Sequence, residues 1–148
     1  RLITPWLGTG RTTVIACGMV GSRQGWHEAP YRTVPCAPLD PAALVTAPTT
    51  DPRLRVLLAP GLRQLNPADV MRGEETQIAG ALALSPGFDG VLCLPGTHSK
   101  WAHISAGEVV SFHKSGLLSR LKSQFPHLKI RDLKFKLQGR DATGDASP

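Results

Sequence analysis

The stretch that most restricts how this chain can fold is Val91 to Trp101, VLCLPGTHSKW. It begins as an apolar run of β-forming residues and breaks at Pro95-Gly96. It then presents Thr97, His98, Ser99 and Lys100 in a row before Trp101 resumes an apolar pattern. A second alternating run, Val109 to Phe112, follows the turn-forming pair Ala106-Gly107. Strand, glycine turn and strand gather backbone N–H groups, two hydroxyls and an ammonium around one point. Such a concave set of donors suits an oxyanion, phosphate above all. An ordinary hairpin with a polar tip has the same local pattern, so the stretch by itself leaves both readings open.

The remaining segments supply the frame. Arg1 to Arg11, with Pro5, Gly8 and Gly10, reads as a loop. Thr12 to Cys17 (TTVIAC) is β-branched and apolar, a strand of the buried kind. It runs into GMVGSRQGW, where Gly18, Gly21 and Gly25 permit sharp turns and close backbone approach; a turn into a short helix fits the pattern as well. The spacing is not the dinucleotide fingerprint, and no paired acidic residue follows. Ala29-Pro30-Tyr31 and Pro35 to Pro38 bracket a short extended segment, and Asp40 to Pro52 reads as a loop with one helical turn at Pro41-Ala42-Ala43-Leu44. Arg55 to Pro60 (RVLLAP) is a second buried strand. Asn66-Pro67 predicts a helix start, Asn as cap and Pro at the first helical position. A turn of helix, a break at Gly73 and a second helix from about Glu75 to Leu84 follow, then a loop over 85–90. Strands separated by turns and helices, with ligand-suited loops at the strand ends, predict an α/β protein.

Charge is uneven along the chain of 148 residues, whose net charge is +6. Residues 113–148 hold eight Lys or Arg against three Asp, so five of the six excess charges lie in the last quarter. Basic and apolar residues interleave there, which suits nucleic acid or an anionic surface. Aromatics are few and no known nucleic-acid module is present, so a solvated extension is the favoured reading and a nucleic-acid partner is not expected. Three cysteines at wide spacing, without a CxxC pair, argue against a disulfide framework or structural zinc and for a reducing cytoplasm. The five histidines show no metal-ligand spacing, so no metal is expected from the protein's own residues. No apolar run approaches the roughly 18 residues of a membrane helix, and no signal peptide is visible.

Arg72-Gly73-Glu74-Glu75-Thr76-Gln77 is the most polar cluster in an otherwise apolar region. Two carboxylates at a helix start complement the helix dipole. Alternatively, one acts as general base on a substrate hydroxyl near a phosphate site, with Arg72 holding a second carboxylate or a substrate acid group. Ser22 and Ser99 lack a nucleophile elbow, and Cys17 and Cys93 lie in strands where packing is the expected role.

Three segments, GMVGSRQGWHEAPY (18–31), NPADVMRGEETQIAGAL (66–82) and LPGTHSKW (94–101), together closely resemble the 2-dehydro-3-deoxygalactonokinase family. Residues 13–112 follow the middle of that family in order and spacing. The resemblance implies the actin-like, ribonuclease-H-like ATPase fold, here in part. It also implies ATP and Mg2+ as cofactors, and a sugar acid as small-molecule partner, phosphorylated at its C6 hydroxyl. It assigns Gly96, Thr97, His98, Ser99 and Lys100 to the ATP phosphates, Glu74 to the base with Glu75 second, and Arg23, Trp26 and Arg72 to the sugar-acid side. Residues 1–85 are then the C-terminal part of the first lobe, 86–112 the opening of the second, and 113–148 a basic tail that does not match the family. The family's D-x-G-(S/T) phosphate loop and its MTGE-type continuation have no counterpart here. The expectation is therefore an internal fragment without catalysis of its own, with a non-catalytic remnant or a basic nucleic-acid-binding module as the alternative.

Overall fold

The computed structural model describes residues 3–96 and 99–114. Strand β1 (Thr12–Ala16) lies parallel to β4 (Leu54–Leu58), Thr12 opposite Leu54 and Ala16 opposite Leu58, and β3 (Val45–Ala47) pairs antiparallel on the other side of β4. β4 is thus the central strand, which explains its apolar sequence LRVLL and the burial of Val56 and Leu58. Ala29, Ala47, Val56 and Leu58 form a core here, with Val14, Ala16 and Val20 packed against it. Parallel β1 and β4 both point their C-terminal ends toward the loops that begin at Gly18 and Ala59.

A second sheet joins β2 (Arg32–Thr33), β5 (Leu62–Leu65) and β6 (Ala68–Met71). Here the sequence expectation is corrected. Asn66-Pro67 does not open a helix; its peptide bond is cis, and the pair forms the two-residue turn between β5 and β6, whose register runs from Leu65 opposite Ala68 to Leu62 opposite Met71. Residues 62–65 bury every second side chain. That period-two pattern outweighs the local cap signal, and a cis proline at the third position of a tight turn fits it. The run 68–71 is accordingly a strand and not a turn of helix. β3 was likewise not foreseen within the 40–52 loop.

The helix α1 (Glu74–Leu84) starts immediately after Gly73, whose φ of 108° is outside the range side chains normally tolerate. The third sheet is the hairpin and its continuation: β7 (Gly90–Leu94), β8 (Lys100–Ser105) and β9 (Glu108–Lys114), all antiparallel. Ala106 and Gly107, at φ 50° and 80°, make the tight β8–β9 turn. The architecture of the described residues is therefore mixed α/β with three small sheets.

One core crosses from the second sheet to the third. Leu62, Met71, Ile78, Ala102, Ile104, Val109 and Phe112 are buried together. Polar links run along the same seam. The Phe112 N–H donates to Gln64 Oε1 at 2.8 Å, Cys36 and Val109 exchange backbone hydrogen bonds, and Lys100 meets Asp69. The described residues belong to one compact unit. The basic tail beyond Lys114 lies outside the described residues. Among the described residues no helix is long and apolar enough to cross a membrane.

Candidate active site

The start of α1 brings the polar cluster to a point. Glu74 Oε2 accepts the Arg72 N–H at 2.9 Å, and Glu75 Oε2 accepts the Gly73 N–H at 2.6 Å. Both carboxylates thus turn back on the peptide just ahead of the helix, where donors are otherwise unpaired and the dipole favours negative charge. Their surroundings differ. Glu75 is fully buried, and its Oε1 has no hydrogen-bond partner among the described residues. Burial pushes its carboxyl above the usual range, against the opposing pull of backbone N–H groups at Glu75 and Gly73. Glu74 is half-buried and lines an open cleft of about 320 Å³ with Arg72, Gly73 and Gln77 on one side and Leu94, Pro95 and Gly96 on the other. The helix start therefore faces the glycine turn of the hairpin.

The loop after β1 closes the back of the cluster. Gly18, at φ 81°, lies against Gly73, since a Cβ on Gly73 would stand 3.5 Å from the Gly18 Cα. At the hairpin tip, the Gly96 N–H reaches Ser99 Oγ at a long 3.4 Å, and Ser99 Oγ reaches the Gly96 carbonyl at 3.3 Å. Among the described residues, no heavy atom outside the neighbouring residues lies within 4 Å of where a Gly96 Cβ would be, so none of them blocks an oxyanion approaching the backbone there. Thr97 and His98 lie outside the described residues.

Other residues singled out by sequence lie elsewhere. Lys100 is 2% exposed, its Nζ 2.6 Å from both oxygens of Asp69 and 5.6 Å from the centre of the Phe112 ring. It does not line the cleft. Trp26 is half exposed and lines a separate hollow of about 390 Å³ with Pro48, Thr49 and Thr50. Arg23 is exposed. Sequence reasoning missed the parts played by Asp69 and Tyr31, which carry no local signal. Gln77 belongs to the polar cluster seen in the sequence and lies one turn along the helix from Glu74. Among the described residues no group of three or more His, Cys, Asp or Glu side chains could hold a metal.

What the arrangement offers is a carboxylate beside an open cleft, a backbone turn able to receive an oxyanion opposite it, and a guanidinium at the cleft wall. Comparison with known proteins supplies the family. Residues 1–116 match the family described as 2-keto-3-deoxy-galactonokinase, and the chain belongs to that family. It is 44% identical over 100 residues to a protein of Rhizobium meliloti (strain 1021) provisionally named a 2-dehydro-3-deoxygalactonokinase, covering 67% of this chain and 33% of that protein. It is 36% identical over 104 residues to the 2-dehydro-3-deoxygalactonokinase of Escherichia coli (strain K12), covering 69% of this chain and 34% of the other. The chain thus spans about a third of the length of these relatives. A solved structure from Sinorhizobium meliloti, given the same name provisionally, superposes with a TM-score of 0.68 at 32% identity, over 86% of this chain and 42% of that one.

Proposed function

We propose that this chain carries the substrate-facing part of an ATP-dependent kinase that phosphorylates 2-dehydro-3-deoxy-D-galactonate at its C6 hydroxyl. The observation that carries the reading is the position of Glu74, a half-buried carboxylate facing the open Gly96 turn across a small cleft. Family membership supports the same reaction class.

In this reading Glu74 accepts the proton of the C6 hydroxyl as that oxygen attacks phosphorus. Its carboxylate is oriented in advance by the Arg72 N–H. Glu75, buried and raised in pKa, supports the turn from behind. ATP supplies the phosphoryl group, and the Gly96, Thr97, His98 and Ser99 turn is the place proposed for its phosphates. Lys100 as found gives its charge to Asp69, so its contribution is to fix the base of that turn. Mg2+ would enter with the nucleotide, neutralising charge on its phosphates. Arg72, with Arg23 and Trp26 farther out, belongs to the sugar-acid side. The actin-like fold and a cytoplasmic setting are part of the same proposal, as is the inability of the isolated chain to turn over.

The test is a chimera in which the aligned 104 residues of the E. coli relative are replaced by their counterparts here. It should transfer phosphate from ATP to the sugar acid and leave a 6-deoxy analogue untouched. Equal consumption of ATP with the 6-deoxy analogue would refute the proposed acceptor.

A further inference from the structure

Arg72 poses a question that the cleft carboxylates do not answer. A guanidinium keeps its charge at any ordinary pH and carries five N–H donors. Here Nη2 donates to the Ala29 carbonyl at 2.9 Å, and the guanidinium carbon lies 4.2 Å from the centre of the Tyr31 ring. Nε and Nη1 are buried with no acceptor among the described residues, and Ser22 Oγ is in the same condition. The preceding residue, Gly21, is so close that a Cβ there would stand 3.1 Å from Nη1, which sets the Gly21-Ser22 turn against the guanidinium.

This corner is built. A Cβ on Gly61 would come within 2.7 Å of Tyr31 Cε1 and 2.5 Å of the Met71 carbonyl, so the glycine leaves the space in which the ring lies. The ring then supports the flat face of Arg72. Buried donors left without acceptors are costly, the more so on a charged group. A carboxylate would satisfy them, and a stacked guanidinium has little freedom left to lose when one arrives. Arg72 also lines the cleft that holds Glu74.

The geometry points to Arg72, held on the face of Tyr31 and set against Gly21, as the group that recognises the carboxylate of the sugar acid, with Tyr31 as its positioning residue. The inference rests on the kinase reading for the identity of the ligand. It distinguishes sugar acids from neutral sugars, which bring no charge to the guanidinium.

The experiment is calorimetric titration of the 148-residue chain, without nucleotide, using 2-dehydro-3-deoxygalactonate and its neutral C1 carboxamide. A charge-assisted hydrogen bond corresponds to a preference of about tenfold or more for the acid. Arg72→Gln, which removes the charge and the planar fork of donors, should bring that ratio close to one. Tyr31→Leu should do the same, while Tyr31→Phe, which keeps the ring, should retain the preference; thermal melts show that each variant is folded. The assignment is overturned if the wild-type chain binds neither compound, or if Arg72→Gln and Tyr31→Leu leave the ratio unchanged or weaken both ligands equally. The two readings fail separately. Arg72-dependent acid binding without phosphoryl transfer in the chimera would keep this site and sink the kinase, and turnover with an unchanged ratio would do the reverse.

Discussion

The Nζ of Lys100 sits 2.6 Å from both carboxylate oxygens of Asp69, with side chains only 3% and 7% exposed. This pair ties the first residue of β8 to β6, thirty-one positions earlier, and so sets the hairpin against the sheet that leads into α1. Removing one partner leaves a buried charge without compensation. Asp69→Ala should therefore cost about 3–5 kcal/mol, read as a lower urea midpoint. The double variant Asp69→Leu with Lys100→Met should lose less than the single one. A double variant no better than Asp69→Ala would show that the packing around the pair, and not its charge, is what matters.

Glu75 gives a pH signature. Its carboxyl is raised in the folded chain, with burial the first cause, so ionising it costs folding energy. The sign follows from linkage. The stability tied to the protonated form is fully present below the ordinary carboxylate value and is lost as pH rises through the raised one. Glu75→Gln, neutral at every pH, should match the wild type in acid and become relatively more stable toward neutrality. Urea midpoints measured across that range check this; parallel curves for the two proteins would refute it.

Gly73 is limited by its backbone more than by space. A Cβ would meet the Gly18 Cα at 3.5 Å, an ordinary contact, but φ is 108°. Gly73→Ala should cost about 1–3 kcal/mol and displace the peptide that holds both glutamates. Gly96→Ala, where no described residue crowds the site, should be close to neutral for folding. Chemical denaturation of the two variants compares them directly.

Much of the frame was legible because its signals are local. TTVIA and RVLLAP are β-branched or apolar runs that pair in parallel, the hairpin follows from VLCL, Pro-Gly and Ala-Gly, and α1 begins within a residue of its predicted start. The β5–β6 hairpin was not legible, because Asn-Pro reads equally as a helix cap and as a tight turn. The choice is made by Leu62 and Met71 burying against Phe112 and Ile104, residues far along the chain. The same limit applies to the site. The Arg72–Glu75 cluster and the Gly96 turn can be seen in sequence, and the fold brings them to one cleft. That Lys100 would be spent on Asp69, and that Arg72 would lie on Tyr31, depends on contacts 31 and 41 residues apart in the chain.

The most direct measurement of the central claim is the steady-state rate of the chimera carrying Glu74→Gln, with ATP and 2-dehydro-3-deoxygalactonate. A carboxylate acting as general base contributes about 10²–10⁴-fold, so kcat should fall by about a hundredfold or more with KM little changed. A variant that keeps the parent chimera's kcat would contradict the role given to Glu74 and return its carboxylate to the capping of α1.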